Sequence, residues 1–178
     1  MPELYPFING SEAFQKQFNV SRETIERLET YAALLVKWQS KINLIGSGTI
    51  DQIWHRHIAD WVDIGSGAGL PGLIVAICLH EKSDCHIHLI ESNGKKCAFL
   101  RTVIRETQIK ASVHHMRCEE FANRNRLNID VISARAVAPL IDLLGMCRSV
   151  FPHKPEILIQ KGQDVDDELT EASKCWSI

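Results

Sequence analysis

Residues Val62 to Gly72 read VDIGSGAGLPG, and their types and spacing suit chemistry better than any other stretch of this chain. An apolar run ends at Ile64, and glycines at alternate positions, Gly65, Gly67 and Gly69, lead into a second apolar run. Glycines spaced this way let the backbone take positive φ and approach a ligand closely. A helix starting there would offer free N–H groups at its first turn. Two ligand classes use such a loop. A dinucleotide would set its pyrophosphate on the helix N-terminus, and Gly67, Gly69 and Gly72 satisfy the GxGxxG spacing. Asp63 argues for the other class. An acid two residues before the first glycine suits a cationic ligand, such as the sulfonium and amino group of S-adenosylmethionine. Pro71 also removes one amide that a pyrophosphate would use.

Glu91 ends the next apolar run, His86–Glu91. A carboxylate at the tip of a second strand can accept both hydroxyls of a ribose. That ribose is common to nicotinamide dinucleotides and S-adenosylmethionine, so Glu91 supports nucleoside binding without choosing between them. It could equally cap the helix that starts at Gly94. A third run ends in Met116-Arg117-Cys118-Glu119-Glu120-Phe121, where a side chain could flank an adenine ring or Glu119 or Glu120 could cap a turn. Arg135 follows a fourth run and Lys161 a fifth, both at the edge where such sheets bind ligands.

These residues need a scaffold, and the apolar pattern supplies one. Trp61–Ile64, His86–Glu91, Ser112–Met116, Ile129–Ala134 and Glu156–Gln160 read as strands. Gly69–His80, Gly94–Gln108 and Ala138–Val150 read as helices. Strands alternating with helices imply βαβ units and a mainly parallel sheet with helices on both faces, a Rossmann-like α/β fold. Residues 1–60 read as a helical extension to a core at 61–178. Ser21 is a candidate N-cap, and Ile25, Leu28, Ala32, Leu35, Trp38 and Ile42 form one apolar stripe. Asn43–Thr49 breaks the helix, and a second short helix spans Ile50–Asp60.

The chain has 178 residues and a formal net charge of -2, so as a whole it is not a polyanion binder. The charge is unevenly spread. Between Ser92 and Arg135, nine Lys and Arg stand against four Asp and Glu. A basic middle is what a phosphate backbone requires, although a solvated helix face has the same composition. The six cysteines form no CxxC and no short metal spacing, which fits a reducing compartment. No signal peptide or apolar stretch of membrane-spanning length is present, so the expected location is cytoplasmic, without membrane contact. His86, His88, His114 and His115 have no carboxylate or cysteine partner at ligand spacing, so no metal is expected.

Taken together, VDIGSGAGLPG, HLIESNGKKCAFLR (His88–Arg101), MRCEEFA (Met116–Ala122) and DVISARAVAPL (Asp130–Leu140) resemble the bacterial 16S ribosomal RNA methyltransferase G family, also called glucose-inhibited division protein B. VKWQSKINLIG (Val36–Gly46) and HRHIAD (His55–Asp60) resemble its helical extension, and ILIQKGQ (Ile157–Gln163) its fifth strand. The resemblance covers nearly the whole chain in family order. It implies a class I S-adenosylmethionine-dependent methyltransferase. It implies that Gly65, Leu70, Cys118, Glu119 and Arg135 hold the donor, beside Asp63, Gly67, Gly69 and Glu91. The family more often has a small aliphatic residue where this chain has Cys118. The implied target is N7 of one guanine in the decoding-region loop of 16S RNA, in the small ribosomal subunit or an assembly intermediate.

Guanine N7 carries an in-plane lone pair and no proton, so no general base is needed, and the sequence offers no obvious acid–base pair. Catalysis reduces to proximity and orientation, with Arg135 and Lys161 as candidate substrate contacts. Lys37, Asn43, Arg56, His57, Lys95, Lys96, Arg101 and Lys161 are the candidate RNA contacts. The competing readings are a nicotinamide-dependent oxidoreductase and a non-enzymatic nucleotide-binding module. One junction stands out. A helix ending at Asp60 would pass directly into a strand starting at Trp61, where about two to six connecting residues are usual. The resembled family has a further helical stretch there and continues past Ile178 with an antiparallel strand pair. The expectation is therefore a segment missing between Asp60 and Trp61, and part of the C-terminal sheet missing as well.

Overall fold

The computed structural model describes residues 9–42, 44, 63–80, 86–124, 129, 131–135, 138–150, 156–161 and 165–176. In chain order its elements are α1 (Ser11–Phe18), α2 (Arg22–Gln39), α3 (Gly72–Cys78), β1 (Ile87–Glu91), α4 (Gly94–Thr107) and β2 (Ala111–His115). They continue with α5 (Cys118–Arg124), β3 (Val131–Arg135), α6 (Leu140–Val150), β4 (Glu156–Gln160) and α7 (Val165–Ser173).

The strands pair in parallel. β1 lies on β2, with Ile87 opposite Ala111 and Glu91 opposite His115. β3 lies on β4, with Val131 opposite Glu156 and Arg135 opposite Gln160. Ile64 makes a parallel bridge to Ile90, which puts the chain just before the glycine loop beside β1. Parallel neighbours need a crossover, and α4 and α6 supply it.

Side-chain alternation along a strand sends neighbours to opposite faces, and β1 shows the result. Leu89 enters a core with Leu28, Tyr31 and Leu35 of α2, Leu73 and Ile77 of α3, and Phe99 and Leu100 of α4. Ile90, one residue on, enters a second core with Ile64, Cys118, Phe121, Ile132, Ala134, Leu143 and Cys147. Helices therefore cover both faces of the strand, as the alternating pattern requires.

Helix starts follow local chemistry. Ser21 caps α2, its side chain accepting from the Thr24 N–H at 3.1 Å. The stripe read from Ile25 to Trp38 is the face that α2 buries, but the helix stops at Gln39, before Ile42. The cap of α4 is Asn93, whose Oδ1 accepts from the N–H groups of Lys95 and Lys96 at 3.0 and 3.2 Å. The reading of Glu91 as the cap of this helix is therefore corrected: Asn93 caps the first turn, while Glu91 accepts from the N–H of Asn93 itself and from that of Gly67. The helix expected over Gly69–His80 starts only at Gly72, because the loop glycines are left-handed. α5 and α7 were not read from the sequence. Part of the expected Trp61–Ile64 strand, the expected Ile50–Asp60 helix and the Asp60–Trp61 junction lie outside the described residues.

Candidate functional site

The glycine loop adopts the backbone that its composition allows. Gly65, Gly67 and Gly69 have φ of 70°, 52° and 82°, in the left-handed region where a side chain is strained. Their surroundings differ. A Cβ added to Gly67 would meet nothing closer than the Gly65 carbonyl oxygen at 3.7 Å, so this residue borders open space. A Cβ on Gly69 would collide with Leu73, and one on Gly72 with Leu89 and Asp63. Gly69 and Gly72 are thus small so that the core can close. The space beside Gly69 where a side chain would lie is filled by Leu73, so only its backbone is available for the close approach to a ligand expected of the loop glycines. Leu70 is buried in the first core.

The loop is held at four points. The Ser66 N–H donates to the Ile90 carbonyl at 3.1 Å, and the Gly69 N–H to the Ser66 carbonyl at 2.5 Å. The Gly67 N–H donates to Glu91 Oε2 at 2.8 Å. The Tyr31 hydroxyl, from α2, donates to the Ala68 carbonyl at 3.1 Å. The other oxygen of Glu91 accepts from the Asn93 N–H at 2.7 Å. Glu91 is buried and bridges the loop to the strand end. Each of its oxygens still has a lone pair to offer a ligand hydroxyl.

Asp63 sits behind this loop, 6% exposed, and neither carboxylate oxygen reaches a hydrogen-bond partner in good geometry. Burial pushes its carboxyl up to about 7. Ser66, the Arg135 charge and the Gly72 N–H oppose that shift, while the Glu91 carboxylate adds to it. The buried Ser66 hydroxyl lies toward this carboxylate but likewise makes no hydrogen bond of full geometry. Buried polar atoms are nearly always paired in folded proteins, so three such atoms at one loop mark a place built for something else.

The structure thus brings together Asp63, Gly67 and Glu91, with Arg135 near enough for its charge to act on Asp63. Cys118 starts α5 and is buried beside Ile64 and Ile90, the residues leading to the loop and to Glu91. Burial pushes its thiol up to about 12, so it behaves as a small apolar group. Glu119 is exposed in the first turn of the same helix.

The candidate RNA contacts divide. Lys37 is exposed at the end of α2, and Lys95 and Arg101 are exposed on α4, with Lys96 half-buried. Lys95 and Lys96 stand just beyond the Glu91–Asn93 contact, on the loop's side of α4. Lys161 is different. Its ammonium donates to the Ala138 carbonyl at 2.9 Å and pairs with Glu168 at 2.6 Å. Glu168 in turn accepts from the Leu140 N–H at 2.7 Å. Lys161 thus ties β4 to the start of α6 and to α7. Asn43, Arg56 and His57 lie outside the described residues.

The histidines pack against one another. His88 Nδ1 and His114 Nε2 are 3.0 Å apart, and both rings lie against Phe121. Burial holds both below the ordinary imidazole value. Among the described residues, no group of three or more His, Cys, Asp and Glu is placed to hold a metal ion. Among them too, no helix is long and apolar enough to cross a membrane.

Sequence reasoning missed Tyr31 and Glu168. Tyr31 falls three residues after Leu28 and four before Leu35, so the helical period placed it on the buried face. Glu168 belongs to a run of acids that reads as solvated surface.

The chain is similar to known proteins over most of its length. The sequence model of the GidB family, described as rRNA small subunit methyltransferase G, matches residues 24–178. A ribosomal RNA small subunit methyltransferase G from Parvibaculum lavamentivorans is 43% identical over 185 residues, covering 96% of this chain and 81% of the relative. One from Paramagnetospirillum magneticum is 44% identical, covering 95% of this chain and 86% of the relative. One from Nitrobacter winogradskyi is 44% identical, covering 89% and 62%. The chain therefore spans less than two thirds of this last relative's length. The 185 residues of the first alignment exceed the 178 of this chain, so that relative has positions with no counterpart here. A family match over residues 24–178, with identities above 40% across nearly the whole chain, shows that this chain belongs to the rRNA small subunit methyltransferase G family.

Proposed function

We propose that this chain uses S-adenosylmethionine to methylate N7 of a guanine in 16S ribosomal RNA, acting on the small subunit or an assembly intermediate. The observation that carries the donor assignment is the buried carboxylate of Asp63, short of well-formed hydrogen bonds, behind a loop with open space at Gly67. A cationic ligand would give Asp63 a strong partner, and a nucleoside without a pyrophosphate suits a loop with Pro71 at its helix start. The residues present therefore fit the donor. Asp63, Gly65, Gly67, Gly69, Leu70, Glu91, Cys118, Glu119 and Arg135 would hold it, with Glu91 accepting from the ribose and Cys118 against the adenine. When bound, the donor supplies an electrophilic methyl group on a sulfonium.

The chain's own part is positional. The tethered loop would orient the bound donor, and alignment of reacting groups of this kind is worth several orders of magnitude in rate. Arg135, at the end of β3, would face the base and the glycine loop would face the donor, so that the chain would align the two for methyl transfer. No proton moves, so the lack of an assigned acid or base is consistent with this target. Lys37, Lys95, Lys96 and Arg101 are proposed to meet the RNA backbone, with Arg135 near the base; Asn43, Arg56 and His57 remain in the same proposal. Lys161 would have to leave Glu168 to contact RNA or the base, since its ammonium is paired there. The division at residues 60 and 61 into a helical extension and a Rossmann-like core belongs to the proposal too.

The test is methyl transfer from labelled donor to 30S particles and to free 16S RNA lacking the modification. Borohydride reduction and aniline cleavage then locate any N7-methylguanine. Cleavage at a single guanine of the decoding-region loop supports the reading. Label elsewhere, or no label on either acceptor, refutes it.

A further inference from the structure

Tyr31 is 0% exposed on α2, and its hydroxyl reaches across to the Ala68 carbonyl at 3.1 Å. Ala68 lies between Gly67, which borders open space, and Gly69, which packs on Leu73. The ring is seated against Phe99 of α4, with centroids 6.3 Å apart, so it has little freedom to swing away. Burial foremost, then the Asp63 charge, raises the phenol well above its ordinary range, so the hydroxyl keeps the proton that it donates to the Ala68 carbonyl.

A second tether joins α2 to the same layer. Arg27 Nε donates to the Thr107 carbonyl at 3.2 Å, at the far end of α4. Anchoring the helix to its neighbours therefore does not require Tyr31. The Tyr31 bond differs in what it grips: backbone of the glycine loop itself, in its left-handed stretch. A loop with three residues at positive φ has other accessible conformations, because glycine restricts the backbone little.

We infer that Tyr31 is a positioning residue for the donor loop, holding Gly67 and Ala68 in the ligand-ready conformation from outside the α/β core. This rests on the donor assignment above. It makes the N-terminal helix part of the donor site and not only a cover for it.

The experiment uses Tyr31→Phe, which keeps the ring and removes only the donor, with Arg27→Met as a control that cuts the other tether. Two readouts are taken on the full chain. One is hydrogen exchange at the Ser66, Gly67, Gly69 and Leu70 amides without ligand, all of which are hydrogen-bonded in the folded loop. The other is calorimetric affinity for S-adenosylhomocysteine. The expected result is faster exchange at these amides and affinity lower by about five- to tenfold in Tyr31→Phe, the size of one lost hydrogen bond. Arg27→Met should change neither. If Tyr31→Phe lowers only the melting temperature, with loop exchange and affinity as in the wild type, Tyr31 is purely structural and the inference fails. If wild-type protein does not bind S-adenosylhomocysteine, the donor assignment falls. Loop exchange then decides the inference alone: unchanged protection in Tyr31→Phe overturns it, and lost protection upholds it.

Discussion

Two acids on this chain occupy opposite situations. Asp63 is buried with neither oxygen in a well-formed hydrogen bond, whereas Glu168 is partly exposed yet bound to both the Lys161 ammonium and the Leu140 N–H. Those hydrogen bonds hold Glu168 below the ordinary carboxylate value, while burial pushes Asp63 up to about 7. The difference separates glue from site. Lys161 and Glu168 close a junction between β4, α6 and α7, and their polar groups are spent on each other. Asp63, Ser66 and the open side of Gly67 leave polar capacity unspent at a tightly braced loop. Unpaired buried groups cost stability, and they persist where binding repays the cost.

Substitutions can break this comparison from either side. The largest effect is expected from Gly67→Val. A β-branched residue resists the observed φ of 52° and projects into the open space, so affinity for S-adenosylhomocysteine should fall by about a hundredfold or more. Titration calorimetry measures it, and near-normal affinity would mean that the open side of Gly67 is not where the ligand lies. Asp63→Asn comes next. It keeps the shape and removes the charge, so donor affinity should drop by about tenfold at pH 8. The unliganded protein should become more stable, on the order of 1 kcal/mol, because a buried unpaired charge is gone. Lys161→Met should do the reverse. It leaves a carboxylate without its partner, so the melting temperature should fall while donor affinity stays within about twofold.

A smaller effect sharpens the same contrast through pH. The folded pKa of Asp63 is raised, so the fold favours its neutral form. Its contribution to stability is present at low pH and is lost as pH rises from the ordinary carboxylate value through about 7. Donor affinity runs the other way, because the cation needs the carboxylate: it should increase as pH climbs through about 7 and level off above. Asp63→Asn should flatten both dependences. A slope that survives this substitution belongs to another group.

What could be read from the chain followed from how local each constraint is. The three left-handed glycines, Ser21 as a cap and the strand Glu156–Gln160 depend on near neighbours, and all appear where the pattern places them. The cap of α4 was ambiguous because Glu91 and Asn93 are both polar and both close. Only the turn of the Glu91 side chain toward Gly67, 24 residues away, resolves it. Tyr31 and Glu168 escaped for the same reason on a longer scale, with partners 37 and 28 residues away along the chain. Sequence period showed that Tyr31 is buried, but not that its hydroxyl needs the glycine loop. The orphaned state of Asp63 is a property of packing that composition does not carry.

The account stands or falls on what enters the space before Gly67. The most direct measurement is parallel calorimetric titration of wild-type and Asp63→Asn protein with S-adenosylmethionine and with NADH. Saturable binding of S-adenosylmethionine that weakens in Asp63→Asn, with no heat from NADH, is the predicted result. Binding of NADH in place of S-adenosylmethionine, or S-adenosylmethionine affinity indifferent to Asp63, would contradict it.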